Sequence, residues 1–160
     1  WERATICVAG VRPDGRIGVE VYRDIRGTEH NPVTTEVIID ALDAFPAPVK
    51  VIAYEQVSAD TIELTRHAKE TSRTEVYDEL LPGAVWAACM DVDEMILSRR
   101  LAVDDPLLDA QIPLAARRPV GQDGAFRFSR RASLGPIDAV MAMTFAAHAI
   151  AYTRPVNIHL

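Results

Sequence analysis

Apolar and polar residues follow two different periods along this chain, and the switches between them mark its elements. Arg3 to Ala9 is nearly continuous in apolar character, as a buried strand is, and Ile17 to Ile25 alternates with the period of two of a second strand. Val11 to Arg16 lies between them with Asp-Gly at its tip, which predicts a β-hairpin. Val37, Ile38, Ala41, Leu42 and Phe45 then recur at helical spacing, with Thr34 or Thr35 as cap and Pro46 and Pro48 beyond about Ala44. Val49 to Tyr54 predicts a short apolar strand that ends at Glu55. A helix follows from Ser58 to about Lys69, with Ile62, Leu64, Thr65 and Ala68 inward, and Thr74 to Leu80 reads as another short strand.

The second half is mostly helical. Ala84 to Leu101 predicts a helix with Val85, Ala88, Cys89, Val92, Met95 and Ile96 on one side. Asp105-Pro106 opens a further helical segment to about Ala115. Gly121 to Gly124 is a turn, Ala125 to Ser129 a strand, and Gly135 to about Tyr152 the last helix. Strands and helices in this order predict an α/β domain with a mixed sheet covered by helices, without internal repeat or linker. A length of 160 residues suits one domain, residues 1–160, with a proper core.

Composition changes this picture little. Hydrophobic residues at 49% and charged residues at 25% are those of an ordinary soluble globular protein. The longest uncharged run near the C-terminus, Ala139 to Thr153, is too short to span a bilayer, and no signal-peptide pattern opens the chain. Cys7 and Cys89 sit in apolar settings far apart in sequence, which favours two buried thiols in a reducing compartment over a disulfide.

Charge changes more. The net charge is −6, yet Ala115 to Leu134 holds Arg117, Arg118, Arg127, Arg130 and Arg131 against the single acid Asp123. That strip is +4 and the other 140 residues carry −10. A basic strip on an acidic body can meet a phosphate backbone locally, and the plainer alternative is a solvated loop. No glycine is followed by lysine, so there is no P-loop; nor is there a nucleophile elbow, a Cys-x-x-Cys or a histidine pair at zinc spacing. His148, within the last helix, reads as a core histidine.

Two carboxylates remain. Asp138 is the only acid in the apolar stretch Pro136 to Ala151, on the helix face of Met141, Ala142, Phe145 and Ala149. Such a carboxylate is costly unless paired, by a divalent metal for example, although in a first turn it also complements the helix dipole. Glu55 ends a strand, where ligands collect in open α/β sheets, and its alternative is an exposed loop acid. Together they can converge on Mg²⁺ or Mn²⁺, hard cations that take oxygen ligands and keep several waters.

At these residues the chain resembles a family. Phe126-Arg-Phe-Ser-Arg-Arg-Ala-Ser-Leu-Gly-Pro-Ile-Asp-Ala-Val-Met-Ala-Met is similar to the end of the nuclease domain of tailed-phage terminase large subunits, where an aromatic and basic strand leads into Ile-Asp on the last helix. Asp105-Pro-Leu-Leu-Asp-Ala-Gln111 resembles the approach to that strand, Val51-Ile-Ala-Tyr-Glu55 resembles the family's second acidic strand, and the opening hairpin resembles the strands after its first. The resemblance implies an RNase H-like mixed β-sheet flanked by helices. It also implies a metal-dependent endonuclease that cuts concatemeric double-stranded DNA during genome packaging in the cytoplasm of the bacterial host.

In that frame Glu55 and Asp138 are catalytic residues and metal ligands for Mg or Mn, expected as two ions about 4 Å apart. Arg127, Arg130 and Arg131 contact DNA, and a phage portal and the small terminase subunit are partners. An ATPase half and a first catalytic Asp are expected upstream of Trp1, a position that Glu2 does not fill. Two rivals share the fold: a non-catalytic assembly module that docks on a packaging partner, and another nuclease such as a junction resolvase. All versions with a metal require the Glu55 and Asp138 carboxyl groups to lie within roughly 10 Å of each other.

Overall fold

The opening hairpin forms because its tip can reverse. In the computed structural model, which describes residues 2–55, 66, 76–121 and 124–152 (backbone alone over 76–79), β1 (Arg3–Val11) pairs antiparallel with β2 (Ile17–Arg26). Gly15 sits at φ +82 in the left-handed region, and its N–H donates to Arg12 O at 2.9 Å. Asp14 accepts the N–H of Arg16 at 3.0 Å, so Asp-Gly closes the turn as its chemistry predicts. A register shift at Ile6/Cys7 leaves Tyr22 as the extra residue on β2, and its ring packs edge-on against Phe45 at 4.9 Å. Phe45 follows α1 (Thr35–Asp43), which buries Ile38 and Ile39. Val37 was expected on that inner stripe but is 44% exposed, because the helix is rotated to seat Ile39 instead.

β3 (Val51–Glu55) runs parallel to β4 (Val76–Leu80), with Glu55 opposite Leu80. The helix expected from Ser58 to Lys69 lies outside the described residues, Arg66 aside. α2 (Pro82–Leu97) starts on Pro82, where the missing N–H costs nothing, and buries Val85, Ala88, Cys89, Val92 and Met95. It stops four residues before the expected end. Arg99 adopts φ 56, with Arg99 N–H donating to Ile96 O at 3.1 Å and Arg100 N–H to Met95 O at 2.8 Å. This is a left-handed helix stop with arginine where glycine is usual. Ile96, expected inside, is exposed beside it.

The early stop frees β5 (Leu101–Val103) to pair parallel with Ile17–Val19 of β2, an element that periodicity did not predict. Asp105 then serves two elements. Its Oδ1 accepts the N–H groups of Leu107 and Leu108 at 2.9 and 3.2 Å, capping α3 (Pro106–Gln111). Its Oδ2 accepts the N–H of Val21 in β2 at 3.1 Å, just past the end of β5. The helical segment tightens to a 3₁₀ turn at Ile112–Leu114 instead of continuing to Ala115, since Pro113 has no N–H for an α-helical bond. β6 (Arg117–Pro119), also unpredicted, pairs antiparallel with β7 (Phe126–Phe128).

α4 (Asp138–Tyr152) ties these pieces together. It begins three residues after the expected start and is buried nearly all round, including Ala139, Val140, Met141, Met143, Thr144, Phe145, Ala147 and Ala149. It packs on β1, β2, β3, α2 and α3. The fold is therefore mixed α/β. Among the described residues the strands form a small mixed sheet in the order β1-β2-β5, the parallel pair β3-β4, and the hairpin β6-β7.

Both cysteines are free thiols. Cys7 donates to Ala139 O at 3.6 Å, and burial with the nearby Asp105 charge pushes it up to about 12. Burial also raises Cys89, against the pull of the Phe128 N–H that its sulfur accepts.

Asp24 clamps the far end of the hairpin, taking Arg3 at 2.6 and 2.9 Å and Arg26 at 2.9 Å. Burial pushes its carboxyl up, but the hydrogen bonds from the two arginines outweigh that and hold it below the usual carboxylate range. A folded-state value below the unfolded one stabilises the protein above the unfolded value, and the benefit fades as pH falls through the folded one. Asp24→Asn is expected to lose about 1–2 kcal/mol at pH 7. In urea titrations its gap to the wild type should close below about pH 4. A gap that persists at pH 2 would contradict this account.

Candidate metal centre and basic groove

Glu55 and Asp138 reach the same place from different elements. Glu55 is the last residue of β3 and Asp138 the first of α4, and α4 packs against β3. Their side chains are 19% and 32% exposed, so both keep an opening to solvent while most of each is covered. Between them lies Arg130. Its Nη1 is 3.5 Å from Glu55 Oε2 and its Nε is 3.6 Å from Asp138 Oδ1. Since those two nitrogens are fixed roughly 2.3 Å apart in a planar guanidinium, the carboxylate oxygens are separated by less than about 10 Å.

The arrangement is incompletely satisfied. Charge-assisted hydrogen bonds run at about 2.7–2.9 Å, so both contacts are loose. Glu55 Oε2 is buried and has no hydrogen-bond partner among the described residues. A buried carboxylate oxygen without a hydrogen bond is costly, and the Arg130 guanidinium at 3.5 Å offsets its charge without bonding it.

The backbone around the site is held rigidly. Ser129, buried after β7, donates its N–H to Ala116 O at 3.0 Å and accepts at its carbonyl the N–H of Ser133 at 3.0 Å and the Ser133 hydroxyl at 2.7 Å. Ser133 Oγ in turn accepts the Ala116 N–H at 3.0 Å. This knot fixes the turn that carries Arg130 and Arg131. On the other side the buried Gln111 accepts the N–H of Ala139 at 2.9 Å, so a first-turn donor of α4 is satisfied from α3. Asp138 still lies at the positive end of the helix, but that donor does not depend on it.

The basic residues divide into two groups. Arg117 turns away to pair with Asp93 of α2 and stacks over Phe126 at 4.8 Å. Arg118, Arg127, Arg130 and Arg131 line one cavity of about 290 Å³ together with Glu55. Arg118 and Arg127 are direct partners in the β6–β7 register, and like charges so placed repel unless an anion lies between or above them. All three arginines expected to touch DNA therefore share one cavity, and Arg130 alone also touches the carboxylates. Arg118 was not singled out in the sequence, because its strand Arg-Arg-Pro has no strand signature; its place opposite Arg127 follows only from the pairing.

The remaining chemistry is structural. His148 is buried with Nδ1 at 2.8 Å from Asp91 Oδ2, which also accepts the Tyr152 hydroxyl at 3.0 Å, so the cluster joins α4 to α2 as a core histidine would. Among the described residues no three His, Cys, Asp or Glu side chains gather as a metal cluster, and no helix is long and apolar enough to cross a membrane. The chain matches no protein-family model, no curated protein and no solved structure.

Gln111→Ala leaves the Ala139 N–H buried without its acceptor and is expected to cost about 1–3 kcal/mol by chemical denaturation. A loss under about 0.5 kcal/mol, the range of an ordinary surface change, would show that α4 does not need this contact.

Proposed function

We propose that the chain is a metal-dependent endonuclease domain, RNase H-like in fold and akin to the nuclease domain of phage terminase large subunits. One observation carries the reading: a single cation, the Arg130 guanidinium, reaches the carboxylates of both Glu55 and Asp138 at once. Two acids that one guanidinium can bridge are placed to share Mg²⁺ or Mn²⁺, and Glu55 Oε2, ion-paired with Arg130 but without a hydrogen bond among the described residues, would be an oxygen donor for it. The donor set is all oxygen, as hard cations require. Glu55 and Asp138 would hold the ions, and bound there they would supply water activation and neutralisation of the leaving oxygen in phosphodiester hydrolysis.

The chain's own residues do the rest. Arg118, Arg127 and Arg131 concentrate positive charge beside the carboxylates, which draws the phosphate backbone of double-stranded DNA across the site. Concatemeric DNA as substrate, a portal and a small terminase subunit as partners, and the host cytoplasm as location all belong to this proposal through the resemblance alone.

A second reading is a non-catalytic assembly module of the same fold. The Arg130 guanidinium already placed against both carboxylates favours it, because the pair has a counter-charge from the chain itself. Plasmid nicking in Mn²⁺ separates the two. The nuclease reading expects Asp138→Ala to lose nicking by about 10²-fold or more, the scale of a lost several-kcal/mol contribution to catalysis. Equal nicking by variant and wild type would end it. For the groove, Arg131→Ala is expected to weaken duplex binding alike for all sequences and to lower the slope of log affinity against log salt by about 1. An unchanged slope would remove Arg131 from the interface.

A further inference from the structure

We propose that Arg130 is a gate on the Glu55–Asp138 pair, closing it with its own guanidinium until a nucleic-acid phosphate draws the side chain away. The inference rests on the reading of that pair as a divalent-cation site. Two cavities meet at Arg130. One of about 290 Å³ contains Glu55, the other of about 300 Å³ contains Asp138, and Arg130 is the one described residue that lines both. Neither cavity alone offers both carboxylates. Moving one side chain would join them into a space that does.

Arg130 is suited to move. Its side chain is 51% exposed, and its contacts at 3.5 and 3.6 Å neutralise the carboxylates without hydrogen-bonding Glu55 Oε2. The backbone below it is pinned through Ser129 and Ser133, so the motion is a change of side-chain rotamer on a fixed turn. The neighbouring charges set its direction. With the groove empty, Arg118, Arg127 and Arg131 repel the Arg130 guanidinium toward the two acids. A phosphate in the groove reverses that balance and gives the planar Arg130 guanidinium a bidentate partner. The vacated position then favours a divalent cation, since two carboxylates without a counter-charge repel each other. Phosphate and cation therefore strengthen each other's binding, and by linkage the effect is reciprocal. Cleavage chemistry is thereby confined to the DNA-bound state.

The test is Mn²⁺ binding followed by the loss of the free-ion electron paramagnetic resonance signal, in the absence of DNA. Wild type, Arg130→Met, Glu55→Gln and the double variant Arg130→Met/Glu55→Gln are compared, with Arg130→Gln repeating the comparison in case methionine disturbs the turn. Arg130→Met is expected to bind Mn²⁺ about tenfold more tightly than the wild type, and the double variant to lose that gain. Equal affinity in wild type and Arg130→Met, abolished in both by Glu55→Gln, would overturn the gate and leave the cation site standing. Mn²⁺ binding indifferent to Glu55→Gln in every background would overturn the cation site and the gate with it. Fluorescence anisotropy of a labelled duplex at fixed ionic strength reads the reciprocal arm. Replacing EDTA by Ca²⁺ should tighten DNA binding by the wild type relative to Arg130→Met, and identical responses would overturn the coupling.

Discussion

Everything in this molecule is referred to the burial of α4. Val140, Met141, Met143 and Phe145 each leave water on packing, at about 1.5–3 kcal/mol apiece for full burial of such side chains. The helix touches β1, β2 and β3 on one side and α2 and α3 on the others, and α2 in turn touches β4, β5 and β7, so the separate strand groups share a core through these two helices. A helix enclosed in this way can place a polar residue near solvent only at an end. Asp138 stands at that end, and Gln111 fixes it by accepting the N–H of Ala139. The position of the carboxylate is thus a consequence of packing rather than of the loop before it.

The same constraint explains the electrostatics. β3 ends beside the start of α4, which brings Glu55 toward Asp138 and leaves two negative groups partly withdrawn from water. Such a pair needs a cation, and the short connection from β7 to α4 supplies Arg130. The guanidinium does the minimum: it compensates charge at 3.5 and 3.6 Å and leaves one oxygen of Glu55 without a hydrogen bond. A site built only for stability would be expected to close those distances. Loose compensation by a half-exposed side chain, next to three further arginines, is what the proposed exchange of Arg130 for a metal ion requires.

How much of this was legible in the sequence depended on whether a side chain or the backbone carried the information. The hairpin was, because Asp14-Gly15 is itself the chemistry of the turn. The end of α2 was not, because an arginine occupies the left-handed position that glycine normally announces, and β5 was lost along with it. β5 and β6 are three residues long and exist through backbone pairing to β2 and β7, which leaves no periodicity to read. Ile39 and Val37 exchanged places because a nine-residue helix can rotate its stripe to suit its neighbours. At the site, Glu55 and Asp138 stood out as carboxylates in apolar settings, while the bridging by Arg130 depends on three elements meeting and on one rotamer. Arg130 was therefore expected at the phosphate and was found between the acids.

The central claim is that Glu55 and Asp138 form a divalent-cation site that Arg130 covers. The most direct measurement is a crystal structure of the protein with Mn²⁺, read by the anomalous signal of the metal. The account predicts a peak between the two carboxylates, with metal–oxygen distances of about 2.2 Å and the Arg130 guanidinium displaced from its bridging position. No peak at the carboxylates at saturating Mn²⁺, with Arg130 still bridging Glu55 and Asp138, would contradict it.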